Sequence, residues 1–348
     1  MKKILHVCTD QKFIDFAITN FNTIDNVQND FFVIAKNELK YVKNENVTVE
    51  SRWSFLVKLL LGKFKNHDAV IFHSLGNQFK LFIKFLPKKL KICWIGFGFD
   101  YYDYSKLIKG YAEKKGVKYV IEKYILNSSY QRINYFCPVL ESEFEEASTR
   151  LRLNAQYLDW NYGSSDKIVD KLKNDYVDGD SILLGNSASE TNNHLEIIDE
   201  LVKLNETREI IVPLSYGNSN YAEMIIAKLK STSLNYTVLR DFLTQEEYFS
   251  ILKRCAFVIM NHKRQQAAGN ILIMLSLGAK VILDKENPLH SYFKQFGFKI
   301  FEKTELKSNL FSALLEKDMT INKKLSVENF NPDVSKGKTE RLVFALVS

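Results

Sequence analysis

Nine apolar runs of four to eight residues punctuate the chain, and their spacing dictates what it can fold into. In the first half they are ILHVC (4–8), FFVIA (31–35), AVIFH (69–73) and KICWIGFG (91–98), with a helix-like segment around Phe13 to Phe21 and further amphipathic segments between them. In the second half they are SILLG (181–185), EIIVP (209–213), TVLR (237–240), CAFVIM (255–260) and AKVIL (279–283), again separated by helix-like segments. Short buried strands alternating with helices form a parallel sheet with crossover helices. The chain therefore reads as α/β, with two Rossmann-like doubly wound domains in tandem. The polar, glycine-bearing stretch at 161–180 is the natural linker. The expected division is 1–175, then 176–330, with 331–348 as a C-terminal segment that can return to the first domain. At 348 residues two cores are expected rather than one. Ligands of open parallel sheets sit beyond the carboxyl ends of the strands, so the expected active site is a cleft that both sheets face.

Hydrophobic residues make up 46% of the chain and charged residues 26%, which suits a folded soluble protein and not a disordered one. Cys8, Cys93, Cys137 and Cys255 are scattered without metal-ligand spacing, so they are expected as buried thiols in a reducing compartment, and no metal site is expected. The opening MKKILHVC is too short for a signal sequence and reads as a strand. The most apolar stretch, Phe55 to Phe64, is broken by Lys58 and Lys63, so no membrane span is expected. The net charge of +7 is one-sided. Residues 1–175 hold 27 Lys and Arg against 20 Asp and Glu, whereas the remainder holds 21 of each. Within 52–123 alone there are 15 basic and 5 acidic residues, including FKLFIKFLPKKLK at 79–91. Such a block favours an anionic surface, and Lys80, Lys84, Lys88, Lys89 and Lys91 are the expected membrane-facing residues.

Two stretches of the second half carry the chemistry. Gly185, Asn186 and Ser187 make a tight strand-to-helix turn before Asn192, Asn193 and His194, where a glycine lets backbone approach a ligand and a helix N-terminus favours an anion. In HKRQQAAGNILIMLSLGAKVIL (262–283), a polar loop with Arg264, Gln265 and Gln266 leads through Gly269 and Asn270 into an apolar helix capped by Gly278. Arg264 and the helix N-terminus suit a diphosphate. Glu286, after the next strand, suits ribose hydroxyls as a double acceptor, and Tyr216 with Gly217 follows another strand end. In the first half Asp100 (in WIGFGFDYYDY), His73 and Asp10 each follow a strand and are the candidate catalytic residues, Asp100 as the general base. Each has a structural alternative of comparable weight.

GNSASETNNH, VPLSYGN, RQQAAGNILIMLSLG and LDKENP, with IFHSLGN and WIGFGFDYYD earlier in the chain, resemble the TDP-N-acetylfucosamine:lipid II N-acetylfucosaminyltransferase family, which helps build enterobacterial common antigen. The resemblance spans about 69–292. It implies a GT-B fold, a TDP- or UDP-type nucleotide-sugar donor in the C-terminal domain, and a polyprenyl-diphosphate-linked glycan acceptor at the cytoplasmic face of the bacterial inner membrane. Direct displacement at the anomeric carbon requires no metal, no His or Cys cluster offers one, and no cofactor is expected. The chain departs from the larger retaining GT-B families, which place two glutamates eight positions apart at this helix, since Gln266 and Met274 stand there.

Two other classes fit the same composition. A nucleotide-sugar epimerase would use the same scaffold, since fold does not fix reaction. A nucleic-acid-binding protein would explain the basic block, but no helix-turn-helix, zinc or RNA-binding signature accompanies it, so no nucleic-acid partner is expected.

Overall fold

The computed structural model describes residues 1–102, 128–310 and 312–348. Asp103 and Tyr104, at the end of the WIGFGFDYYDY run, lie outside the described residues. The described chain divides into two compact units, one of residues 1–102, 128–164 and 332–348, the other of 165–310 and 312–331.

The first unit holds a seven-stranded parallel sheet of β1 (Lys2–Cys8), β2 (Val27–Ile34), β3 (Thr48–Glu50), β4 (Ala69–His73), β5 (Lys91–Ile95), β6 (Tyr135–Cys137) and β7 (Gln156–Tyr157). Their spatial order is β3-β2-β1-β4-β5-β6-β7. Every side chain of β4 is buried, as a strand covered on both faces must be. Helix α1 (Ile14–Phe21) packs one face together with the final helix of the chain, through Ile18, Phe21, Leu342 and Leu346. Helices α2 (Arg52–Leu60) and α3 (Asn77–Phe85), and then α4 (Glu143–Leu151), cover the other through Phe55, Leu59, Phe79, Phe82 and Ala147. All four cysteines are free and buried.

The second unit repeats the plan with six parallel strands. These are β8 (Ile182–Leu184), β9 (Ile210–Pro213), β10 (Tyr236–Leu239), β11 (Phe257–Met260), β12 (Lys280–Leu283) and β13 (Phe301–Glu302), in the order β10-β9-β8-β11-β12-β13. Its helices are α5 (Asp166–Lys171), α6 (His194–Lys203), α7 (Ser219–Lys230), α8 (Gln245–Lys253), α9 (Ala268–Ser276), α10 (Pro288–Gln295), α11 (Leu306–Asn309) and α12 (Glu316–Asn329). The chain ends in α13 (Pro332–Val347), which belongs to the first unit and anchors there where Trp160 Nε1 donates to Thr339 Oγ1 at 3.0 Å.

Both sheets reverse direction of winding at one place, between β1 and β4 in the first and between β8 and β11 in the second. That switch point is where the loops leaving neighbouring strands diverge and a ligand finds room. The nine expected strands are all present. The additional strands β3, β6, β7 and β13 are edge or near-edge pieces of two or three residues, too short to show a pattern.

Candidate functional site

At the second unit's switch point the loop after β8 is bonded to the loop after β11. Gly185 leaves β8 with φ +68, and a Cβ there would run into His194 Nε2 and Asn192 Oδ1, so glycine is required both by backbone and by space. The Asn186 amide donates to Asn192 Oδ1 at 3.0 Å. Gln266 is the hub: its Nε2 donates to Asn186 Oδ1 (3.0 Å) and to Ser187 Oγ (3.3 Å), while its Oε1 accepts from Thr191 Oγ1 at 2.7 Å. Asn186 Nδ2 in turn donates to the Tyr216 hydroxyl at 2.7 Å, bringing in the loop after β9. The Ala188 amide bonds the Tyr216 carbonyl, and the Asn218 amide bonds the Ala188 carbonyl, where Gly217 at φ +119 leaves room for the close approach.

Beneath this layer lie two buried histidines. His262 stands between Asn192 Oδ1 (2.8 Å from Nε2) and the Gln266 carbonyl (3.2 Å from Nδ1), and burial lowers its pKa to about 3. The ring is therefore neutral and can donate to only one of these two oxygen acceptors. His194 Nδ1 faces the Tyr221 hydroxyl at 3.2 Å, and burial lowers its pKa to about 4. Its Nε2, under the Gly185 turn, has no hydrogen-bond partner among the described residues. Two non-glycine residues here hold left-handed backbone, Asn193 (φ 49) and Ala267 (φ 60), the residue before α9. Such strain persists only where surrounding contacts enforce it.

The sequence-predicted donor residues fall into three groups. Gly185, Asn186, Ser187, Tyr216 and Gln266 are joined directly. Arg264 and Gln265 adjoin them, with Arg264 Nη1 donating to the Gln265 carbonyl at 3.0 Å. Gly269 and Asn270 form the first turn of α9, whose N-terminus no side chain caps, and Asn270 Nδ2 donates to the Tyr248 hydroxyl at 3.0 Å. Glu286 stands apart and exposed after β12. Lys263 reaches 2.7 Å from Asp284 and only 4.0 Å from Glu286, and Asp284 also binds Lys303. Burial opposes the Asp284 charge, but these lysines and the Glu286 amide outweigh it and bring its pKa to about 2. Sequence reasoning missed Thr191, His262 and Tyr248 as members of the network. Their signal was weak: single polar residues close behind strand ends or on a helix.

The three candidate catalytic residues of the first unit each hold hydrogen bonds within their own unit. Asp100 accepts from the Leu75 amide, Trp94 Nε1 (both 2.8 Å) and the Phe97 amide (2.9 Å), so its two oxygens staple the loops after β4 and β5, although burial raises its pKa. Asp10 accepts the amides of Lys40, Tyr41 and Val42. His73 belongs to a buried chain in which the Tyr162 hydroxyl, His73, His6 and Asn29 Oδ1 follow one another at 3.0, 3.0 and 3.1 Å. Because Asn29 Oδ1 only accepts, every proton in that chain points toward it, and an amide oxygen is a poor terminus for a proton relay. The lysine stripe is divided. Lys84, Lys88 and Lys89 are exposed, but Lys80 lies over the Tyr130 ring at 4.8 Å with its pKa lowered by burial to about 8, and Lys91 donates to the Ala345 carbonyl at 3.0 Å.

Among the described residues no group of His, Cys, Asp or Glu is arranged to hold a metal. The Asp-x-Asp spacing at Asp178 and Asp180 is exposed and precedes β8, at the end of the strand opposite the network.

Residues 9–346 match the family described as 4-alpha-L-fucosyltransferase, glycosyl transferase group 56. The chain belongs to that family. Members of it are glycosyltransferases, and solved structures agree in fold. A glycosyltransferase from Rickettsia africae is similar at a TM-score of 0.68 and 12% identity, covering 100% of this chain and 99% of the other. The lipopolysaccharide outer core galactosyltransferase WaaB is similar at 0.64 and 10% identity, with 99% of each chain covered. The family member described here thus has the GT-B fold expected from its sequence. A UDP-GlcNAc 2-epimerase from Neisseria meningitidis is similar too, at a TM-score of 0.54, 14% identity and 100% of both chains, so the architecture alone does not separate transferases from epimerases. Membership of the transferase family does.

Proposed function

We propose that this family member moves a deoxyamino sugar or a related sugar from a TDP- or UDP-type nucleoside diphosphate donor to a polyprenyl-diphosphate-linked glycan, in the synthesis of a bacterial surface polysaccharide at the inner face of the inner membrane. The observation that carries the donor half is the Asn186–Ser187–Gln266–Tyr216 network at the second unit's switch point, where neutral hydrogen-bonding groups converge beside the N-terminus of α9. In this reading the diphosphate lies against that N-terminus and Arg264, which stabilise the charge that develops as the anomeric C–O bond breaks. Gly185 and Gly269 let backbone approach it, Asn270 and Gln265 line it, and Glu286, exposed and 4.0 Å from Lys263, receives the ribose. The acceptor hydroxyl displaces the nucleoside diphosphate directly, its proton passing to the departing diphosphate or to solvent, and no metal or cofactor takes part. The acceptor half is supported by the sequence resemblance and by the basic first unit.

Thermal-shift titration with TDP, UDP, GDP and CMP tests the donor, since a ligand of the folded state raises its stability. The expected result is a shift with TDP or UDP that EDTA leaves unchanged, and a shift confined to GDP or CMP would overturn the donor class. Mass analysis of products with polyprenyl-diphosphate-linked and lipid-free glycans tests the acceptor. Transfer only to the lipid-free glycan would contradict it.

A further inference from the structure

Helix α2 has two apolar faces, and among the described residues only one is used by the core. Phe55 and Leu59 point inward, where Phe55 meets Phe82 of α3 at 5.0 Å between ring centroids. Trp53, Val57, Leu60 and Leu61, at positions i, i+4, i+7 and i+8, share the opposite face and are 74, 53, 59 and 69% exposed. Phe85, at the end of the adjacent α3, adds a further ring at 44%. A contiguous stripe of large apolar side chains in water marks an interaction surface rather than ordinary surface scatter. The two segments that carry it are of one sign, although Glu50 just before α2 pairs with Lys58. Residues 51–65 and 77–91 contain nine Lys and Arg and no Asp or Glu. Arg52, Lys63, Lys65, Lys84, Lys88 and Lys89 are exposed.

We infer that this face of α2, with the exposed end of α3, is the surface on which the first unit lies on an anionic lipid bilayer, Trp53 and Leu61 entering the acyl boundary and the lysines meeting lipid phosphates. The inference rests on the proposed lipid-linked acceptor for its purpose, and it moves the lipid contact from the lysine stripe to the α2 face beside it. A lipid surface fits better than a second copy of the chain. A twofold contact would set this basic rim against itself, whereas a bilayer supplies the opposite charge and an apolar layer together.

Tryptophan emission tests it on the intact protein. Of the three tryptophans, Trp94 and Trp160 are buried, so Trp53 reports the surface. With vesicles of 30% phosphatidylglycerol in phosphatidylcholine, emission should shift to the blue and be quenched by brominated acyl chains. Trp53→Phe should remove both responses. Leu60→Ser with Leu61→Ser, at exposed positions where the fold does not depend on them, should lower vesicle partitioning about ten-fold while nucleotide binding is kept. Pure phosphatidylcholine or high salt should weaken binding. No binding to the anionic vesicles, binding that leaves Trp53 unquenched, or a lipid-free dimer broken by the leucine substitutions would overturn the inference. The vesicles carry neither donor nor acceptor, so transfer to a lipid-linked glycan in detergent can succeed while this surface fails, and the reverse.

Discussion

Gln266 stands where a glutamate would be expected from the larger retaining families, and the network explains why an amide belongs there. Its Nε2 donates to Asn186 Oδ1 and Ser187 Oγ while its Oε1 accepts from Thr191, a set that a carboxylate cannot satisfy because it has no N–H. Gln266→Glu should therefore weaken nucleotide binding, by roughly 1–3 kcal/mol for the broken buried hydrogen bonds, and calorimetric titration of nucleotide would show it. An unchanged or tighter affinity would mean that the amide is not part of the site. Asp100 makes the opposite demand. All three of its partners are donors, so Asp100→Asn turns an N–H toward one of them and should cost about 1–3 kcal/mol of stability in urea unfolding, where a general base would have lost turnover alone. Asp100 was legible as important because it follows a glycine-rich strand end. Its hydrogen-bond partners were not, since a sequence does not show which backbone amides fold back onto a carboxylate.

Elements were more legible than sites. Strands β4, β11 and β12 are wholly buried and read as short apolar runs with only His73 and Lys280 at their ends, and α9 was marked at its end by Gly278. There the amide of Gly278 bonds the Leu275 carbonyl and that of Ala279 bonds the Met274 carbonyl, with φ +81 at the glycine. Gly278→Ala would strain that turn and press the new methyl on Met319, costing about 1–2 kcal/mol in a denaturant titration. A loss below about 0.5 kcal/mol would show that the cap is not holding the helix end. The start of α9 was placed within a few residues, because Ala267 adopts left-handed backbone without a side-chain cap and so leaves no capping residue to read. On α3 the interleaved lysines suggested a uniform face. The structure divides them, since the helix turns Lys84 outward and sets Lys80 over Tyr130.

Across the whole molecule, four buried neutral histidines tie stability to pH. Burial lowers His6 and His262 to about 3, His194 to about 4, and His73 well below its ordinary value, whereas each titrates near 6.5 in an unfolded chain. Between pH 6.5 and 4 the unfolded state thus binds more protons than the folded one, and stability falls as pH falls, by up to about 1.4 kcal/mol per histidine per pH unit. Asp284, lowered to about 2, adds a loss below pH 4, whereas Asp100, raised by burial, binds its proton more tightly in the folded state and so offsets part of the histidine loss just above pH 4. Urea midpoints at pH 7.5 and 5.0 should show a clear drop at the lower pH, and equal midpoints would contradict the neutral-histidine account. The doubly wound plan and the transferase family were both readable from strand spacing and loop motifs, whereas the network that joins separate loops depends on pairings up to 80 residues apart, such as Gln266 with Asn186. The central claim is that a nucleotide-sugar donor binds at that network. Calorimetric titration of TDP and UDP into the parent protein, Arg264→Ala and Gln266→Ala, each checked for an intact fold by circular dichroism, tests it most directly. At least about ten-fold weaker binding in both variants, equal to roughly 1.4 kcal/mol, is the predicted result, and parental affinity in two folded variants would contradict it.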